Sequence, residues 1–234
     1  MDKRCLLVAL TLIGGCSGSP AAPSGSKVTS ITITGGDLLL IGKGETFIAT
    51  GNSGPVAVRW GSDAPSVAVV DPTTGRVSAV GKGTATIYAD ANGIRGTKLI
   101  RTLPDFAGKW TISYQVTRCE ADGDYLRYRA CDYPPNWIEL ELIQSGEGIS
   151  GRFGMTDWDS YDWRSDNVLG SVSSDGTMSF TATATSGDMR IENVRLELRP
   201  NRQLAGTFEH VQFDRTGSVR YFLEVPTANP RSGG

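Results

Sequence analysis

Apolar and polar residues alternate with a period of two along most of this chain, in short runs separated by turn residues. Ile31 and Ile33 alternate with Thr32 and Thr34 before Gly35-Gly36 ends the run. Phe47-Ile48-Ala49 and Val56 to Trp60 read as the next strands. Asp71-Pro72-Thr73-Thr74-Gly75 predicts a turn, with Pro72 fixing φ and Gly75 free to take a positive φ. Gly81-Lys82-Gly83 predicts another, leading into Thr84 to Ala89, where Ala85, Ile87 and Ala89 share one face. Short strands with frequent turn signals over residues 28–103 predict a β-sandwich.

The second half alternates in the same way. Trp110, Ile112, Tyr114 and Val116 form one face, and Ile138, Leu140 and Leu142 a second. Met178-Phe180-Ala182, Val194-Leu196-Leu198 and Val219-Tyr221-Leu223-Val225 continue the series, taking every second residue. With runs at 148–155, 167–173 and 203–213, residues 105–226 hold about eight predicted strands. Sequential antiparallel strands most simply close into an up-and-down barrel, which removes exposed edges; a second sandwich is the alternative. The large inward residues predict a mostly filled interior. The expected fold class is therefore all-β: a sandwich, then a barrel-like domain of about eight strands, then a disordered tail at 227–234.

The N-terminus has a different pattern. Lys3 and Arg4 precede an apolar run from Leu6 to Ile13, too short to span a bilayer and bounded by Gly14-Gly15-Cys16. A basic start, an apolar stretch and small residues before a cut site make a secretory signal peptide over residues 1–15. The segment resembles the lipobox of bacterial lipoproteins, in which such a cysteine is acylated and becomes the first mature residue. Ile13 departs mildly from the leucine that family prefers. The resemblance implies lipidation of Cys16 and a membrane partner through that anchor. Ser17, where an aspartate is absent, implies the outer membrane. Residues 16–27 are small, polar and Pro-punctuated, the composition of a flexible tether.

Charge divides the chain in the same place as the strand pattern. Residues 27–104 carry eight Lys and Arg against five Asp and Glu, whereas 105–234 carry thirteen against nineteen. Nothing is basic enough for a nucleic-acid footprint. Cys5 leaves with the signal peptide. Cys119 and Cys131, close in sequence in an exported chain, predict a disulfide worth about 3 kcal/mol on a chain-entropy estimate. Neither has a Cys or His neighbour for a metal site. His210 is the single histidine and sits in a mid-strand pattern, so triad chemistry has little to build on.

From Trp60-Gly61-Ser62-Asp63, through Pro65 to Asp71 and Gly75 to Ile87, the wording closely resembles the bacterial Ig-like domain, group 2. The resemblance implies a small sandwich used as a spacer or adhesive module, without an active site. Trp60 then reads as core. Phe106-Ala107-Gly108-Lys109-Trp110 resembles the Gly-x-Trp start of lipocalin-like barrels, through that one short motif.

Two segments carry candidate binding chemistry. Thr156 to Ser165 mixes Asp157, Asp159 and Asp162 with Trp158, Tyr161 and Trp163. Aromatic faces stack on sugar rings while carboxylates accept hydroxyl hydrogen bonds; closely spaced aspartates also suit calcium, although the EF-hand pattern is absent. A plain hairpin with packed aromatics is the simpler reading. The second segment is the Cys119–Cys131 loop with the residues just after it, where Tyr125, Arg127, Tyr128, Arg129 and Tyr133 suit an adaptable contact surface; a plain solvated loop is the simpler reading. Glu139 and Glu141 share a face at a spacing that could serve a glycosidase, but the pattern puts them on the wet side, where a general acid is not made. The expectation is a non-catalytic surface protein without metal or cofactor, recognising glycan or protein. A carrier of a small apolar ligand and an envelope spacer are the alternatives.

Overall fold

The computed structural model describes residues 27–134, 138–157 and 160–230, with side chains described except at 155–166, 201 and 227–230. Cys16, the signal peptide and most of the tether lie outside the described residues.

The first domain holds ten short strands. They are β1 (Ile31–Thr34), β2 (Leu38–Leu40), β3 (Gly44–Thr46), β4 (Ile48–Gly51), β5 (Gly54–Pro55), β6 (Arg59–Ser62), β7 (Ala68–Val70), β8 (Arg76–Ala79), β9 (Gly83–Ala91) and β10 (Ile94–Leu103). They form three sheets, ordered β1-β4-β5, β2-β10-β9-β6 and β3-β8-β7. Ile33, Phe47, Trp60, Val77, Ile87 and Ile100 fill the space between them. The β9–β10 hairpin turns on Asn92-Gly93, both at positive φ, as the right-handed twist of the flanking strands requires. Trp60 is core, as expected. Gly75, at φ 71, lies against it, and a Cβ there would sit 2.7 Å from the indole ring. The Asp71 carboxylate anchors this turn by accepting from the Thr73 and Thr74 amides at 2.9 and 2.8 Å.

The second domain is one curled sheet. Its strands are β11 (Gly108–Ile112), β12 (Gln115–Ala121), β13 (Ile138–Ser145), β14 (Gly148–Asp157), β15 (Ser160–Val172), β16 (Thr177–Thr183), β17 (Met189–Arg199), β18 (Gln203–Phe213) and β19 (Ser218–Pro230). A short helix, α1 (Gly123–Arg127), and a 3-10 turn (Ala130–Asp132) lie between β12 and β13. Neighbours pair in sequence from β13 to β19, and β11 pairs with both β13 and β19. β11 and β12 act as one first stave broken at Ser113–Tyr114. β12 takes the Val219–Glu224 part of β19, and β11 takes Ala228–Pro230. The barrel thus closes with no free edge along that seam.

One expectation is corrected here. Residues 227–230 are not part of a tail. β19 runs to Pro230, and its last residues pair with Trp110 to Ile112. The sequence signal there is weak, because Thr227, Ala228 and Asn229 carry no apolar alternation.

Inward residues fill the barrel. Trp110, Ile112, Leu140, Phe153, Met178, Leu196, Leu204 and Phe208 belong to one continuous core. A void between Ile112, Ile138, Leu140, Phe180, Ile191, Val194, Leu196 and Phe208 measures only about 10 Å³. That is room for about one water, in purely apolar surroundings where water gains nothing.

The join between the domains is packed. Thr102 to Phe106 are buried. The Gln144 amide clamps this segment, accepting from Phe106 N at 2.7 Å and donating to Pro104 O at 3.1 Å. Leu38 and Leu40 of the sandwich pack against the barrel core. Lys43 pairs with Asp105, Arg101 with Glu147, and the Lys82 ammonium donates to the Asp175 carbonyl. Each of these contacts lies at one end of the barrel, where β11 and β18 begin and β13, β15 and β17 end.

Candidate functional site

The other end of the barrel carries both candidate segments. Chain direction places the 122–134 segment, the end of β14 and the start of β15, residues 184–188 and residues 214–217 there, away from the sandwich. The two halves of the first aromatic segment are strands rather than loop. Met155 pairs with Asp162, Thr156 with Tyr161 and Asp157 with Ser160, as one long hairpin. The side chains of Asp157, Tyr161, Asp162 and Trp163, and all of Trp158 and Asp159, lie outside the described residues.

The second segment forms a cap, and several bonds hold it. Cys119 and Cys131 are joined, with Cα atoms 5.8 Å apart. The Asp122 carboxylate accepts from Ser218 N at 2.5 Å and from Ser218 Oγ at 3.1 Å. Asp124 N donates to Thr216 O at 3.2 Å. Gly123 follows from this docking: at φ 52, its α-carbon lies so close to Thr216 that a Cβ would meet the carbonyl oxygen at 1.9 Å. The Tyr221 hydroxyl, rising from the barrel wall, donates to Ala130 O at 2.8 Å.

The cap sorts its side chains by direction. Tyr125 packs inward against the barrel core and hydrogen-bonds the Asp214 carboxylate. Burial, followed by the Asp214 charge, raises its pKa above the usual phenol value. Tyr125 is therefore an anchor. Arg127 and Tyr128 face solvent. Tyr133 is exposed too, and so is Leu126, which the sequence pattern did not single out. Leu126, Tyr128 and Tyr133 are 65%, 71% and 62% exposed, a concentration of bare apolar surface on a short held segment. Sequence reasoning passed over Leu126 because one leucine in a polar loop has no periodic partner. Arg127 pairs with Asp124, and Arg129 with Asp132, so the charges beside these side chains are balanced.

His210 lies beneath this end. It is fully buried, faces the interior, and stacks on Tyr221 with ring centroids 5.5 Å apart. Neither ring nitrogen has a hydrogen-bond partner. Burial lowers its pKa to about 4, so it is neutral at pH 7. No group of His, Cys, Asp or Glu among the described residues could hold a metal.

The glutamate pair departs from expectation. Glu139 is buried at 5% exposure instead of lying on a wet face. Alternation states which way a side chain points, not what covers that side. Here the hydroxyl of Thr111, directly across on β11, is buried as well. Glu141 is engaged by Arg152 at 2.5 Å and Lys109 at 3.9 Å. The two glutamates thus sit in unlike surroundings, one covered and one tied into ion pairs.

A groove of about 580 Å³ runs over the outer wall, lined by Ser171, Thr177, Ser179, Thr181, Asn193 and Arg195 among others. It lies where β17 bulges from both neighbours, between Glu192 and Arg195. Asn193 there takes φ 50.

Comparison with known proteins bears on the first domain. Residues 42–92 match the family model of the intimin immunoglobulin-like domain, which supports a bacterial Ig-like domain in that half. No curated protein sequence matches the chain. Domains 5-6 of the S-layer protein SbsC are similar at 14% identity over 89% of this chain and 88% of that one, with a TM-score of 0.30. A structure of domains 1-6 of surface layer protein SbsC is similar at 12% identity over 89% of this chain and 41% of that one, with a TM-score of 0.28. Overlap this weak says nothing about function.

Proposed function

We propose that this is a non-catalytic surface lipoprotein whose barrel recognises a glycan or a protein through the disulfide-closed cap. The exposure of Leu126, Tyr128 and Tyr133 on a held segment carries the reading. Large apolar side chains cost free energy in water, and a rigid segment displaying three of them loses little entropy on binding. Placement supports it. Ile31, near the tethered start, touches Gly96 at the far end of β10, whereas the cap lies beyond the joint on the barrel's other end. Cys16 acylation would set the anchor at one end of the molecule and the cap at the other, facing outward from the outer membrane. The Ig-like domain, of the group 2 kind, is the spacer between them.

Among the described residues the barrel interior is packed around a void of about 10 Å³, which favours recognition over carriage of an apolar ligand. Glycan-array and cell-binding measurements on the mature protein, with Leu126, Tyr128 and Tyr133 all replaced by Ser, test the proposal. Binding that survives the triple replacement would overturn it.

A further inference from the structure

The joint between the domains contains a second candidate site, separate from the cap and at the opposite end of the barrel. A cleft of about 440 Å³ is walled by Ile41, Val80 and Lys82 of the sandwich, by Pro104 and Asp105 of the connection, and by Leu198 to Pro200 and Arg202 of the barrel. Its walls are aliphatic and its charge is basic. Lys82, Arg199 and Arg202 face a single carboxylate, that of Asp105, which Lys43 already engages at 3.5 Å. This basic pocket belongs to a chain whose net charge is -2.

The two guanidinium groups are not spent on carboxylates. Neither Arg199 nor Arg202 makes an ion pair among the described residues. Arg202 is instead held in place. Its backbone takes φ 55, its guanidinium lies 5.5 Å from the Trp110 ring centre, and it donates to Ala107 O at 3.4 Å. A non-glycine residue in the left-handed region is disfavoured and persists where its surroundings demand it. Lys82 is oriented by the Asp175 carbonyl at 2.9 Å. Gln144 clamps the connection to the barrel, and Arg101–Glu147 and Lys82–Asp175 tie the sandwich to it, so the cleft exists before any ligand arrives.

We infer that this cleft binds an acidic saccharide of about disaccharide size. Guanidinium forks pair with carboxylate, sulfate or phosphate groups, and the aliphatic and prolyl walls suit the apolar faces of sugar rings. A volume of about 440 Å³ exceeds what a lone anion needs.

Calorimetric titration of the full mature chain tests this with four probes: digalacturonate, a sulfated heparin disaccharide, neutral chitobiose and inorganic phosphate. At least one acidic disaccharide should bind, about tenfold or more tighter than chitobiose, and more weakly as salt rises. Arg199→Glu should weaken that binding by about tenfold or more with the melting temperature held, since Arg199 is exposed and unpaired. Lys82→Glu should act in the same direction. Replacing the three cap residues should leave it unchanged, which separates this site from the cap. Equal binding of chitobiose, full affinity in Arg199→Glu, no binding by either acidic disaccharide, or phosphate binding as tightly as the disaccharide would each overturn the inference.

Discussion

The Tyr221 hydroxyl donates to the Ala130 carbonyl at 2.8 Å, so the barrel wall grips the cap one residue from the disulfide. The cap is thus held at both ends: by the Asp122–Ser218 bonds at its entry and by Tyr221 with Cys131 at its exit. Tyr221→Phe should cost about 1 kcal/mol and speed amide exchange in residues 122–133 more than in the barrel strands. Uniform loss of protection would show that the bond supports the whole barrel and not the cap.

The staple itself should act locally. Replacing Cys119 and Cys131 with Ser should lower stability by about 3 kcal/mol at most, because the closed loop is short. Chemical denaturation of oxidised and doubly substituted protein measures this. A much larger loss would mean that the cap organises the barrel.

His210 gives the protein an acid-sensitive window. Its folded pKa, about 4, lies below the ordinary 6.5, because burial disfavours the cation. The unfolded chain therefore binds a proton that the folded one refuses between those values. Stability is full above about pH 6.5 and falls as pH drops toward 4, by about 3 kcal/mol at most. Aspartates such as Asp175, lowered to about 2 chiefly by the Ser173 hydroxyl, add a separate loss only below about pH 4. His210→Phe should flatten the upper window and leave the lower one. An unchanged pH 4–6.5 slope in that variant would refute the assignment.

The interdomain joint should depend on Gln144. Gln144→Ala strands the Phe106 amide and the Pro104 carbonyl in a buried setting, at a cost of about 1–3 kcal/mol. Limited proteolysis should then cut between residues 103 and 108, and small-angle scattering should show a broader range of interdomain angles. An unaltered scattering profile would place the rigidity of the joint elsewhere.

Strand alternation made much of this fold legible. Ala85, Ile87 and Ala89 are buried as a set, as are Leu140 with Leu142 and Met178 with Phe180, because a period of two selects one face of a sheet. The disulfide was legible in the close spacing of Cys119 and Cys131. Closure of the barrel through Ala228 to Pro230 did not show, since those residues carry no apolar alternation and Pro230 argues against a strand. Burial of Glu139 was also hidden, because it depends on what covers the outer wall. The anchoring role of Tyr125 emerged only once Asp214, distant in sequence, was placed beside it. The cleft at the joint needed the two domains side by side; Lys82 and Arg202 have no sequence relationship.

Recognition through the cap is the central claim, and one measurement bears on it most directly. The mature protein and its Leu126→Ser, Tyr128→Ser, Tyr133→Ser triple variant are compared on one glycan array and on intact cells, with melting temperatures recorded in parallel. The account predicts binding by the parent, a loss of about tenfold or more in the variant, and nearly equal melting temperatures, because exposed side chains contribute little to the fold. Equal binding by the two proteins, or no binding by the parent, would contradict it.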